Sequence, residues 1–312
     1  MKTGWSISAL TGAVAVGMIM LPALAPGDSE KEIKPNGKGI GTLFNPGNGN
    51  GNPNGQAKGK PGGGGTTGNG ISYHGGPVMT GTVNVYFIWY GNWNANSAQT
   101  ILPALASSIG NSAYFNINTT YSVSGQTISG GVHYAGATTD TGSLGTTLTD
   151  ANIQTIVSSA ISSGALPKDL NGAYFVLTAK EVSESSGFCT QYCGWHTYGT
   201  IAGSNIKYSF VGNADRCPSA CAAQTTSPND NAGADAMASV IAHELEEMVT
   251  DPNLNAWFDG RGAENADKCA WTWGTTLTAS NGSKYNMTLG GLNFLIQQNW
   301  VNASGGYCAK SF

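Results

Sequence analysis

The sequence is poor in charge. Only 10% of its 312 residues are Asp, Glu, Lys or Arg, against roughly a quarter in an average soluble domain. The 14 basic residues are scattered and the net charge is −4. Without a basic stripe there is no electrostatic footprint for phosphate, which excludes nucleic-acid binding. After residue 25 no run is apolar for the roughly 20 residues that cross a bilayer. Cysteine is absent before Cys189, histidine occurs four times in all, and no internal repeat is visible. Glycine, by contrast, is abundant at 45 residues and is accompanied by many Asn, Ser and Thr, so polarity comes without charge. Such a surface suits an extracellular or cell-wall setting. A hydrophobic content of 40% still suffices for a sizeable core.

The chain divides into three parts. Residues 1–25 carry Lys2, an apolar run and the small-residue triplet Ala23-Leu24-Ala25, the pattern of a secretory signal peptide. Residues 26–70 are Gly, Asn, Pro and Lys with almost nothing to bury, the composition of a disordered linker. Residues 71–312 form the folded domain, so the expected product is a soluble exported protein with no membrane contact once the signal is removed.

Within the domain, Thr82 to Tyr90 reads as a buried strand from its β-branched and aromatic content. Ser97 to Ile109 carries a helical stripe through Ile101, Leu102, Leu105 and Ile109, with Pro103 tolerable near the first turn. Thr119–Ser124 and Gly131–Tyr134 are strand candidates. Leu148 to Ser163 reads as a helix capped by Thr149 or Asp150 and stopped by Gly164, and Ala173–Thr178 as a strand. After Cys193 loops and short strands are expected until a helix at Asp235–Thr250, and Leu292–Ile296 closes the tail. The alternation argues a single mixed α/β (α+β) domain. Sequons at Asn118, Asn281, Asn286 and Asn302 matter only in a eukaryotic host.

Six cysteines behind an export signal predict three disulfides among 15 pairings. Two alternatives remain at this point: a four-thiolate zinc site from the two Cys-x-x-x-Cys pairs, and a thiol nucleophile at Cys193 with His196 as its base.

The densest chemistry lies in ADAMASVIAHELEEMVTDPNLNAWFDGRGAENADKC, residues 234–269. His243, Glu247 and Asp251 recur every four residues, so a helix places them on one face, with Glu244 one position round. His-Glu-x-x-Glu differs by one ligand from the zinc-peptidase pattern His-Glu-x-x-His, and carboxylate oxygen is an acceptable zinc ligand. Glu264 and Asp267 are the candidate further ligands, with Asp251 as an alternative ligand or as the group that orients one. Glu244 is the candidate general base, taking a proton from water that attacks a carbonyl, which implies amide hydrolysis. Against this stands the ordinary reading of an acidic, solvated helix face. His74, His133 and His196 read as ordinary polar residues, with His74 the reserve ligand.

The motifs YHGGPVMTGTVNVYFIWYGNW (73–93), GFCTQYCGWH (187–196), VGNADRCPSAC (211–221) and the block from Asp235 to Cys269 resemble the phosphate-induced protein 1, or EXORDIUM-like, family over nearly all of 71–312. The resemblance implies a secreted apoplast or cell-wall protein without an assigned enzymatic activity. The HELEEMVTDP and GAENADKC segments resemble the zinc-peptidase-like helix of bacterial exported relatives. Two functions follow as expectations. One is a secreted zinc-dependent, peptidase-like hydrolase with Glu244 catalytic and His243, Glu247, Glu264 and Asp267 at the metal. The other is a non-enzymatic protein that binds cell-wall carbohydrate or a receptor through exposed Trp93, Trp195, Trp257 and Trp271.

Overall fold

The computed structural model describes Met1 and residues 70–312 apart from Arg261; the signal-peptide and linker segments lie outside the described residues. In chain order the domain runs through β1 (Ser72–Tyr73), β2 (Gly81–Tyr90), α1 (Ala98–Ser108), a 3₁₀ turn (Phe115–Tyr121) and β3 (Ile128–Asp140). It continues with β4 (Thr147–Leu148), α2 (Asp150–Ser162), β5 (Gly172–Thr178), β6 (Ser183–Glu184), β7 (Gly194–Ile201) and β8 (Ser204–Gly212). A four-residue helix α3 (Pro218–Cys221), the long helix α4 (Ala232–Thr250) and β9 (Trp257–Phe258) follow, and short two-stranded ribbons complete the tail.

The core is a five-stranded sheet in the order β3-β2-β5-β8-β7. The first four strands are parallel and β7 closes one edge antiparallel to β8. Every residue of β5 is buried, as its unbroken apolar sequence GAYFVLT requires of a central parallel strand. Helix α2 begins on a capping box between Thr149 and Asn152 and gives way to Gly164 at φ +76°. In α1, Pro103 falls inside the helix, where it deprives the Gln99 carbonyl of a donor; Gln99 is exposed, so water can serve instead. Helix α4 is capped by Asn231, whose side chain accepts from Ala234 N, and is buried on nearly all sides between α1 and the β7–β8 edge.

Two sequence expectations are corrected. Thr119–Ser124 is not a strand: residues 115–121 form a 3₁₀ turn. The Thr119 and Thr120 hydroxyls donate to the carbonyls of Asn116 and Ile117 at 2.8 and 2.7 Å, so local bonding overrides their β preference. The segment after Cys193 opens not with loops and short strands but with the eight- and nine-residue strands of a long hairpin, residues 194–212. Its two-residue turn is Ala202-Gly203, both at positive φ, the twist-matched hairpin geometry.

All six cysteines are paired, as Cys189–Cys217, Cys193–Cys221 and Cys269–Cys308. That removes the four-thiolate zinc site and the Cys193 nucleophile, since neither survives without a free thiolate. No helix among the described residues is long and apolar enough to cross a membrane.

Candidate functional site

The site forms where α4 meets β7. Gly194 makes the approach possible: a Cβ there would lie 2.6 Å from Val240 Cγ1, 2.8 Å from the Phe210 carbonyl and 3.3 Å from Glu244 Oε1. Side chains two apart on a strand share a face, so His196 follows Gly194 toward the helix. The Cys193–Cys221 bridge anchors the residue just before β7. From the other side the segment Glu264–Cys269 closes over α4, with Asp267 N donating to Glu247 Oε1 at 3.1 Å and Cys269 tied to Cys308.

Two imidazoles and four carboxylates converge there, all buried. His243 Nε2 lies 3.0 Å from Glu247 Oε1 and 3.5 Å from Asp267 Oδ1. His196 Nε2 lies 3.1 Å from Glu264 Oε2 and 3.8 Å from Glu247 Oε2. Each nitrogen carries at most one proton yet faces two carboxylate oxygens. Ligand atoms about 2.0–2.1 Å from a tetrahedral zinc stand roughly 3.3 Å from one another, the spacing seen here. Two sets of three residues have ligand atoms within 4.8 Å of one another: His243, Glu247 and Asp267, and His196, Glu244 and Glu247.

The electrostatics are those of a crowded anionic interior. Burial, and then the charges of Glu247, Asp251, Asp267 and Glu244, hold the Glu264 carboxyl well above the usual range. Its Oε1 is buried without a hydrogen-bond partner among the described residues. Burial pushes the His243 imidazole down, but Glu247, Asp267 and Glu244 outweigh it and raise it well above its ordinary value. Such a cluster is costly unless its charge is met by protons or by a cation, and mixed imidazole and carboxylate donors suit a divalent ion.

Glu246 belongs elsewhere although it adjoins Glu247 in sequence. It accepts from Asn299 Nδ2, and burial holds its carboxyl well above the usual range. Asp251 is a structural cap: its Oδ1 accepts from Asn255 N and Ala256 N, each at 2.6 Å, and fixes the turn that leaves the helix. Burial raises its carboxyl to about 7.

A small, partly open groove between Gly194, Val240, Trp271 and Gln297 leads to His243 and Glu244.

The sequence-derived residues His243, Glu244, Glu247, Glu264 and Asp267 are therefore brought together. Their helix face is buried, not solvated. His196, read as an ordinary polar residue, joins them, whereas His74 stacks on Phe258 at 3.7 Å on an exposed edge, away from the cluster. Trp93 and Trp195 are core residues at 3% and 7% exposure and offer no binding surface; Trp257 and Trp271 are half-buried.

Residues 71–308 match the model of the phosphate-induced protein 1 conserved region. The chain belongs to the phosphate-induced protein 1 family. Its relatives include EXORDIUM-like 3 of Arabidopsis thaliana, 33% identical over 278 residues that cover 76% of this chain and 82% of the relative. EXORDIUM-like 5 of the same plant is 32% identical over 272 residues, 74% and 75% of the two chains. EXORDIUM itself, also from Arabidopsis thaliana, is 26% identical over 223 residues, 61% and 68%. The phosphate-induced protein 1 region thus takes in the whole site, from β7 to the Cys269–Cys308 bridge.

Proposed function

We propose that this family member is an exported, metal-dependent hydrolase that acts on amide bonds, most simply in peptides. The observation that carries the reading is the pairing of a buried His243–Glu247–Asp267 triad with a groove that reaches His243 and Glu244. Three disulfides fit an oxidising, extracellular destination such as a cell wall.

In this reading His243, Glu247 and Asp267 hold a zinc ion, which when bound supplies a Lewis acid for a substrate carbonyl. Glu244 faces the groove and takes the proton of the attacking water, then returns it to the leaving amine. Asp267 N, by donating to Glu247 Oε1, fixes that carboxylate's orientation. Val240 and Trp271 flank the groove and exclude bulk water from one wall.

The test is hydrolysis of a broad peptide library by zinc-supplemented protein beside Glu244→Gln. The expected result is turnover that falls about 10²–10⁴-fold in the variant while zinc content is unchanged. No turnover in either protein overturns the hydrolase reading, and equal turnover in both overturns Glu244 as its base.

A second reading is favoured by Trp271 and Trp273, which together line a neighbouring pocket that shares Val240, Trp271 and Gln297 with the groove. Aromatic faces there suit a sugar ring of a cell-wall polymer, bound without turnover. Saturable binding of cell-wall oligosaccharide that Trp271→Ala removes, with no hydrolysis, would support it.

A further inference from the structure

The triad around His243 leaves His196 and Glu264 unused, and they are the least expected members of the cluster. They come from an edge strand and from a loop 68 residues later, yet meet at 3.1 Å, both with side chains shut off from solvent. Glu247 stands between the two imidazoles. Its Oε1 lies 3.0 Å from His243 Nε2 and its Oε2 lies 3.8 Å from His196 Nε2, so one carboxylate offers a different oxygen to each.

We propose that the site holds two divalent cations bridged by the Glu247 carboxylate, one against His243 and Asp267 and the other against His196 and Glu264. This rests on the metal-site reading above and extends it from one ion to two.

Three observations carry it. First, the two imidazoles fall in separate groups of mutually close ligand atoms, His243 with Glu247 and Asp267 and His196 with Glu244 and Glu247, and Glu264 joins the second through its 3.1 Å approach to His196. One small ion would have to draw both rings to about 2 Å, whereas two ions leave each ring beside the carboxylates it already faces. Second, the His196 side has its own independent sign of a ligand. Glu264 is 0% exposed, its Oε2 faces His196, and its Oε1 is buried with no hydrogen-bond partner among the described residues. A carboxylate in that position is one donor short of satisfaction, and a cation supplies what is missing. Third, charge favours two ions over one. Glu244, Glu247, Glu264 and Asp267 are all buried beside two imidazoles, so a single divalent ion would leave the fully ionised set anionic in a dry interior, and a second brings it to neutrality. Ions bridged by one carboxylate stand about 3.5–4 Å apart, the separation used by two-metal hydrolases. Glu244 has its ligand oxygen in the same group as His196 and Glu247 and lines the groove, which places it at the mouth of the second position.

The test is zinc stoichiometry of the full chain, by equilibrium dialysis and elemental analysis, for wild type, His196→Ala, Glu264→Gln and His243→Ala. Far- and near-ultraviolet circular dichroism of each variant establishes that it is folded; Glu264→Gln, which keeps side-chain volume, serves if His196→Ala does not fold. The expected result is two zinc ions per wild-type chain, one in His196→Ala or Glu264→Gln, and one in His243→Ala. One ion in wild type that survives His196→Ala and Glu264→Gln but is lost with His243→Ala overturns the second ion and leaves the one-metal reading intact. One ion lost on removal of either imidazole overturns it equally, since a single ion then uses both rings. No bound zinc in wild type overturns both readings together.

Discussion

His196 Nε2 lies 3.1 Å from Glu264 Oε2, across 68 residues of chain and in a setting closed to solvent. The pair joins the sheet edge to the loop that closes over α4. Glu264 carries opposite consequences for the two states of the protein. Its raised carboxyl means that the folded, metal-free chain must hold a proton there which the unfolded chain gives up, and this weakens folding above the ordinary Glu range. Glu264→Gln removes that penalty. In thermal melts at pH 8 the metal-free variant is expected to melt higher than metal-free wild type, and the zinc-supplemented variant lower than zinc-supplemented wild type. A carboxylate with a purely structural role would lower both.

Gly194 is the position at which β7 and α4 touch. A methyl group there would meet Val240 Cγ1 at 2.6 Å and the Phe210 carbonyl at 2.8 Å, and backbone cannot yield as a side-chain tip does. Gly194→Ala is expected to cost about 1–3 kcal/mol, the usual penalty of overpacking, and to weaken zinc binding by displacing His196. Urea unfolding and a zinc titration measure the two effects.

Acid should act in opposite directions on the metal-free and metal-bound forms. Burial raises the Asp251 carboxyl from 3.8 to about 7, so between those values the folded chain binds a proton that the unfolded chain does not. Stability of the metal-free protein from this group therefore rises as pH falls from about 7 toward 4, and is lost as pH rises through the same window. Metal ligands must be deprotonated, so zinc binding weakens over that range. The zinc-induced increase in melting temperature is expected to be largest near pH 8 and to shrink steadily toward pH 5, as differential scanning fluorimetry would follow.

The Cys269–Cys308 bridge holds the segment that delivers Asp267. Replacing both cysteines by Ala is expected to cost about 2–5 kcal/mol and to lower zinc affinity, because Asp267 then must be ordered on binding. Opening Cys189–Cys217 by the same substitution should lower stability with a smaller effect on affinity, since neither of its cysteines lies in the segment that delivers Asp267. Paired melts and zinc titrations separate the two bridges.

Much of the site was legible from spacing alone. The four-residue rhythm of His243 and Glu247 is a local property of helix geometry, and Glu264 and Asp267 stood close downstream in a chain otherwise short of charge. His196 was not legible in the same way, because what gives it a role is tertiary. Its partners are Glu247 and Glu264, reached only once β7 packs on α4. A signal did exist: residues 194–201 as a strand put Gly194 and His196 on one face, and a glycine there marks a close approach. The long hairpin was missed because Gly194, Gly199 and Gly203 punctuate it, although Gly203 belongs to its tight turn. The Thr119–Ser124 strand failed for the opposite reason, since threonine hydroxyls there bond to their own turn.

Zinc-edge anomalous scattering from crystals grown with zinc tests the metal site most directly. The expected result is an anomalous peak about 2.0–2.2 Å from His243 Nε2, Glu247 Oε1 and Asp267 Oδ1. A well-ordered cluster with no anomalous peak among these residues, at saturating zinc, would contradict it.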